Sequence, residues 1–210
     1  MTYADWPLFD LWSRCREVEL RPVREADLPE LAALEPEDAE PDPRLAMLPG
    51  LTDRQNKQRL FHQGYWRALG TWSPQSWVLH LAVRHEGALV GVQTLEGDDF
   101  PELRTVDSAS WLIPGVRGRG LGVAMRTAAL GLAFDHLGAL AAITSAALDN
   151  QASLGVSRRI GYRDNGLGFV HSREGRLLLR HLRLPADEWT RGAEVEAGGV
   201  APCLPWFGLA

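Results

Sequence analysis

The sequence predicts a single α/β domain built on a mixed, mostly antiparallel sheet of roughly six or seven strands with helices on both faces. Three observations carry that expectation. Apolar runs of strand period and helix period alternate along the chain. The 210 residues, 45% of them hydrophobic, are enough for one sizeable core and few enough for one domain. A loop rich in glycine and arginine, within Trp111-Leu112-Ile113-Pro114-Gly115-Val116-Arg117-Gly118-Arg119-Gly120-Leu121-Gly122-Val123-Ala124, joins a strand end to a helix start, the usual seam of an α/β unit.

Taken in order, Glu17 to Leu20 reads as a short first strand and Glu25 to Leu34 as a helix entered through an arginine-proline turn. Glu35 to Pro49, acidic and proline-rich, is a long loop, and Asp53 to Leu69 is the next helix. Trp77 to Val83 and Ala88 to Leu95 are strands joined by the turn signal His85-Glu86-Gly87. After a polar loop, Gly97 to Glu102, Thr105 to Ile113 is a longer strand. Leu121 to Leu137 is a helix almost entirely small and apolar, as suits one pressed against a sheet. Ala141 to Ala147 reads as a central strand and Gln151 to Arg159 as a helix. Tyr162 to His171 with Leu177 to Leu184 closes the sheet as a hairpin around Arg173-Glu174-Gly175. The domain is expected to span 17–185. Residues 1–16 form an N-terminal extension, and 186–210, rich in Gly and Pro towards the end, a C-terminal tail outside the core.

Composition excludes several classes. A formal net charge of -5 argues against nucleic acid as a main ligand, which makes the arginines of the loop a local feature. Cys15 and Cys203 are too few for a disulfide framework, and no CxxC or Cys/His cluster points to a metal. Met1 to Trp12 has no apolar run like that of a secretory signal. The longest apolar stretch, Val123 to Ala142, is broken by Arg126, Asp135 and His136 and reads as a buried helix, not as the roughly 20 apolar residues of a membrane span. A cytoplasmic protein with no membrane partner is expected.

The glycine-arginine loop carries the chemistry. Glycines at alternate positions let backbone N–H groups approach a ligand unobstructed, and the helix that begins near Leu121 adds unpaired N–H groups and the positive end of its dipole. A phosphorylated anion suits such a cradle. No Gly-Lys-Ser/Thr follows, which removes the nucleoside-triphosphate loop, and the third glycine of the dinucleotide pattern is missing in either reading frame. The spacing that fits is Arg117-x-x-Gly120-x-Gly122, which resembles the coenzyme A loop of the GNAT superfamily of N-acetyltransferases. A second segment, from Asn150 through Ser153, Val156 and Ser157 to Gly161-Tyr162, resembles the same family's later motif. Together with Asp107-Ser108-Ala109-Ser110-Trp111-Leu112 it looks most like the branch of ribosomal-protein N-terminal acetyltransferases (RimJ/RimL-like), and Leu20 to Leu28 looks like the family's opening strand and helix start. The resemblance covers about residues 17 to 185.

That resemblance implies an acyl-coenzyme A-dependent N-acyltransferase in which a primary amine attacks the thioester directly. Its implied cofactor-binding residues are Trp111, Leu112 and Ile113 beside the pantetheine arm, Arg117, Gly118, Arg119, Gly120, Leu121, Gly122 and Val123 around the pyrophosphate, and Asn150 and Ser153 at the later helix start. Asp107 is the candidate general base, with His80 ranked below it, and Ser157 stands where many relatives carry a tyrosine that serves the leaving thiolate. Glu35, Glu37, Asp38, Glu40 and Asp42 form an acidic loop able to attract a cationic acceptor: a peptide N-terminus, a lysine or a small amine. The donor is expected to be acetyl-CoA. Succinyl-CoA is the alternative, and it would need a buried cation or several hydroxyls for its free carboxylate. A non-catalytic acyl-CoA sensor is the rival of another class, no metal is implied, and self-association as a homodimer is left open.

Overall fold

The structure, a computed structural model, describes residues 5–39, 46–172 and 175–209. Its frame is a sheet of nine strands, β1 (Trp12–Cys15), β2 (Val18–Pro22), β3 (Ser76–His85), β4 (Ala88–Asp98), β5 (Thr105–Leu112), β6 (Ala141–Ala147), β7 (Arg163–Ser172), β8 (Gly175–Pro185) and β9 (Val195–Gly198), in the order β7-β8-β6-β5-β4-β3-β2-β1-β9. Every neighbouring pair is antiparallel except β5 with β6. Glu86 and Gly87, both at positive φ, make the two-residue turn between β3 and β4, as the right-handed twist of a tight hairpin requires. The turn expected at Arg173-Glu174 lies outside the described residues.

Helices cover both faces. On one, α1 (Leu28–Leu34) and α2 (Asp53–Gly70) pack Leu28, Leu31 and Tyr65 against Ala82, Leu89 and Val92 of the sheet. The first is shorter than the sequence suggests because Glu25–Asp27 forms a 3-10 turn, with Asp27 accepting from the Arg24 N–H at 2.9 Å. Thr52 and Gln55 cap α2 reciprocally, which fixes its start. The other face carries α4 (Leu121–Gly131) and α5 (Gln151–Ile160), with α4 running on into one wider π-type turn, Leu132–His136. The alanines 124, 128, 129 and 133 let α4 lie close to the sheet. The segment expected as a polar loop contains a short helix, α3 (Phe100–Leu103), whose Phe100 is fully buried.

The termini differ from expectation. The described part of the segment expected as a tail, 186–209, does not lie outside the core, because β9 pairs along β1 from Trp12↔Gly198 to Cys15↔Val195, and Cys203 and Phe207 are fully buried. The described part of 1–16 supplies β1 together with buried Leu8 and Leu11. Glycines that suggest a loose chain are imposed by close packing instead: a Cβ on Gly199, itself at φ +72, would stand 2.2 Å from the Asp10 carbonyl oxygen. Phe207 meets Trp77 and Trp72 edge-on, at centroid distances of 4.9 and 5.5 Å, and Trp72 donates to the Trp206 carbonyl at 2.9 Å. Phe207→Ala should therefore lower unfolding free energy by about 3–5 kcal/mol in chemical denaturation. A loss below about 1 kcal/mol would mean that the segment does not pack as described.

Candidate active site

The site begins where two strands part. β5 and β6 pair over only three rungs, Thr105↔Ala141, Val106↔Ala142 and Asp107↔Ile143. Two side-chain ties follow, from the Thr144 hydroxyl to the Ser108 carbonyl at 2.8 Å and from the Ser108 hydroxyl to the Ile143 carbonyl at 3.5 Å. Beyond these β5 stays with β4 as far as Leu112↔Gly91, and β6 stays with β8 as far as Ala147↔Leu179, so a gap opens between them. The Ile113 N–H is spent on the Val90 carbonyl across the β4 side, at 2.9 Å. Alternation along a strand then turns the N–H of Leu112 towards the gap, and Leu112, not Ile113, is the backbone donor available there. The Leu112 carbonyl faces the same way and accepts from Arg117 Nε at 2.8 Å.

The loop past β5 turns through one 3-10 turn, Pro114–Val116, and reaches α4 through Gly118 at φ +76 and Gly120 at φ +88. A Cβ on either glycine would meet nothing within 4 Å, so the backbone here borders open space. Leu121 and Gly122 open α4, where N–H groups have no intrahelical acceptor. Open backbone, left-handed glycines and the positive helix end fit an incoming pyrophosphate. Gly122 does a different job: a Cβ there would press on Val156 Cγ2 at 3.3 Å, so it brings the start of α4 against the middle of α5. Asn150 caps α5 by accepting from the Ser153 N–H at 3.0 Å. Arg119 is exposed, while Arg117 holds Asp38 in a two-pronged pair at 2.6 and 2.9 Å. That pair keeps the Asp38 carboxyl below its ordinary pKa.

Asp107 sits on the last rung, at the closed end of the gap. Its side chain reaches solvent, but the protein packed around the carboxyl raises its pKa, opposed by the Ser108 N–H that Oδ1 accepts at 2.6 Å and by nearby Arg126 and His181. His80 is held otherwise. It lies on β3 with Nδ1 3.0 Å from the Thr94 hydroxyl, and burial, with Arg67 adding to it, pushes its pKa down to about 4. Ser157 is fully buried and donates to the Ser153 carbonyl at 3.1 Å. Trp111, half-buried, faces α2 and meets Phe61 at 6.5 Å between centroids. Of the acidic loop, Glu35 is half-buried with its pKa raised to about 7 by burial against the opposing pull of Lys57. Lys57 straps this loop through the Pro36, Glu37 and Ala39 carbonyls. Glu40 and Asp42 lie outside the described residues.

Sequence reasoning gave no role to Arg126 and Tyr162, which the fold buries beside Ser108 at the closed end of the gap. The signal was a lone arginine in an otherwise small and apolar helix. Among the described residues no group of three His, Cys, Asp or Glu is arranged to hold a metal ion, and no helix is long and apolar enough to cross a membrane.

Two predictions follow from this geometry. Asn tolerates a left-handed backbone, so Gly120→Asn should keep the fold while placing a side chain in the cradle. Coenzyme A affinity, read by calorimetry, should fall at least tenfold; unchanged affinity in the folded variant would remove the loop from the site. The second concerns pH. His80 has its pKa lowered from 6.5 to about 4, so its contribution to stability is present above 6.5 and lost as pH falls towards 4. Glu35 has its pKa raised from 4.5 to about 7, so its contribution is present below 4.5 and lost as pH rises through 7. The two slopes oppose each other where the windows overlap. Glu35→Gln should therefore gain stability relative to the unaltered protein as pH rises from 4.5 to 7. A stability difference that stays flat with pH would place Glu35 in water.

Residues 17–163 match the family model described as an acetyltransferase (GNAT) domain. Among solved structures, Mycobacterium smegmatis RimJ in complex with CoA-disulfide superposes with a TM-score of 0.68 at 18% identity, covering 87% of this chain and 90% of that one. A RimL ribosomal-protein alpha-N-acetyltransferase in complex with coenzyme A gives 0.63 at 16% identity, covering 82% and 96%. A spermidine N-acetyltransferase SpeG chimera from Vibrio cholerae and hSSAT gives 0.60 at 14% identity, covering 82% and 97%. At these identities the likeness is one of fold.

Proposed function

The chain belongs to the GNAT acetyltransferase family, and from that premise we propose that it transfers an acyl group from a coenzyme A thioester directly to a primary amine. The observation that carries the reading is the gap between β5 and β6, open beside the left-handed glycine loop at one end and closed at Asp107 at the other. Backbone N–H groups from Gly118 to Gly122 would hold the pyrophosphate, with Val123, whose own N–H donates to the Gly120 carbonyl, closing the first turn behind them and Arg117 and Arg119 adding charge. Trp111 and Leu112 would flank the pantetheine arm, with Asn150 and Ser153 at the start of α5.

Asp107 takes the proton of the incoming ammonium, directly or through one water, a task that its raised pKa suits. The freed amine nitrogen bonds the thioester carbonyl carbon, and a backbone N–H on the open edge of β5, between Asp107 and the glycine loop, stabilises the oxygen that gains charge. The carbon–sulfur bond then breaks, the sulfur leaves with the electron pair, and the nitrogen's excess proton passes to the thiolate. Ser157 has the lesser part: its hydroxyl turns from the Ser153 carbonyl to the departing sulfur.

The acceptor is a cationic amine of a peptide, protein or small molecule, guided by Glu35, Glu37 and Asp38. Acetyl is the acyl group that the family's chemistry implies. The observation that favours a second donor, succinyl-CoA, is the buried cation Arg126. The working compartment consistent with the composition is the cytoplasm.

Release of free thiol from acetyl-CoA, measured across peptide and polyamine acceptors, tests the proposal. Release should increase with amine, and Asp107→Asn should cut turnover by about 10²-fold or more while flattening its rise with pH. Ser157→Ala should cost a smaller factor. An unchanged pH profile in the Asp107→Asn variant would move the base elsewhere, and tight donor binding with no turnover on any amine would favour the sensor.

A further inference from the structure

α4 carries one charge that its surroundings do not balance. Arg126 is only 3% exposed, and Nε and Nη1 are buried without a hydrogen-bond partner among the described residues. Its one hydrogen bond runs from Nη2 to the Ser110 hydroxyl at 3.2 Å, and no carboxylate among the described residues forms an ion pair with it. A guanidinium that served only the fold would be expected to spend its N–H groups on backbone carbonyls, since a buried cation without partners is strongly disfavoured. Tyr162 belongs to the same cluster: its buried hydroxyl interacts with the Ser108 hydroxyl and the Arg126 guanidinium without a well-formed hydrogen bond to either. Ser108 is buried too, and besides Tyr162 its hydroxyl reaches the Ile143 carbonyl at a long 3.5 Å. The cluster is rich in donors and poor in acceptors. Asp107 is nearby, but it stands on the opposite pleat of β5 and its Oδ1 accepts from the Ser108 N–H.

The place of the cluster in the gap gives this a direction. Ser110 is exposed because β6 no longer covers β5 at that level, so the guanidinium lies one hydrogen bond beneath the floor of the gap. The glycine loop follows Leu112, and Ser108 lies four residues back along the strand, about 13 Å away towards the closed end. A thioester anchored by its pyrophosphate at the loop extends its acyl tip towards Ser110 and Ser108.

We propose that Arg126, Tyr162, Ser108 and Ser110 form a carboxylate-recognition site at the closed end of the gap, which selects acyl-coenzyme A donors bearing a second, terminal carboxylate, such as succinyl-CoA. This rests on the acyl-transfer reading above. A terminal carboxylate replaces the Ser110 hydroxyl on Nη2, pairs with the guanidinium and accepts from the two buried hydroxyls, supplying the acceptors that the cluster lacks. An acetyl group supplies none.

Calorimetric titration of the whole chain with free coenzyme A, acetyl-CoA and succinyl-CoA tests the site. Succinyl-CoA should bind at least about tenfold more tightly than acetyl-CoA. In Arg126→Met the ratio of the two affinities should fall to near one. Ser110→Ala, at an exposed position that the fold tolerates, should change that ratio severalfold and keeps the test open if the Arg126 variant does not fold. Acetyl-CoA bound as tightly as succinyl-CoA by the unaltered protein, or a ratio unmoved in the folded variants, would overturn the carboxylate site and leave the acyl-transfer reading standing. If none of the three ligands binds, both fall together.

Discussion

The early parting of β5 and β6 is the constraint on which the rest of the site depends. A parallel pair would gain by pairing further, yet each strand is already committed on its other side: β5 to β4 as far as Leu112 and β6 to β8 as far as Ala147. The two antiparallel neighbours diverge, and the parallel pair is pulled open after Asp107↔Ile143. Backbone groups along the open edges go without sheet partners, a costly condition inside a sheet unless something else occupies the space. The gap, the glycine loop at its mouth and Asp107 at its closed end are thus one feature seen at three levels.

Packing on the helical faces makes that feature rigid. α4 lies close enough to touch the sheet because its inward face is largely alanine, and Gly122 lets the middle of α5 come within contact of its start. Two helix starts are thereby brought beside the gap, one aimed past the glycine loop and one capped by Asn150. On the opposite face Trp111 is wedged against Phe61, which fixes the last turn of β5 against α2. Far from the gap, the interlock of Trp72, Trp77 and Phe207 ties the chain's end to the middle of the sheet.

Most of this frame is legible in the sequence because its signals are local. Seven of the nine strands follow from apolar runs and turn residues, and Gly118 and Gly120 stand where the backbone needs a positive φ. β1 and β9 escape notice for physical reasons: each has only four residues, and although β1 also pairs locally with β2, the one partner of β9 is β1 at the opposite end of the chain, a partnership that no window of sequence contains. The Gly198-Gly199 step suggests looseness in sequence and answers to crowding in space. Arg126 and Tyr162 are opaque for a related reason. Their significance lies in which donors lack acceptors once the chain is folded, and that balance is tertiary.

The pairing of Arg117 with Asp38 shows how the two sides of the gap are joined. Both side chains are partly exposed, at 37% and 65%, and an ion pair in that setting adds little to stability. Its weight is geometric instead. The guanidinium is anchored by Nε on the Leu112 carbonyl and offers both remaining nitrogens to a loop that Lys57 straps from the other side. The acidic segment around Asp38 is therefore positioned by the same arginine that borders the anion cradle. Because the pair is weak, a stronger anion in that cradle competes for the guanidinium at little cost to the fold, and the anchor on Leu112 keeps the arginine in place whichever anion it holds.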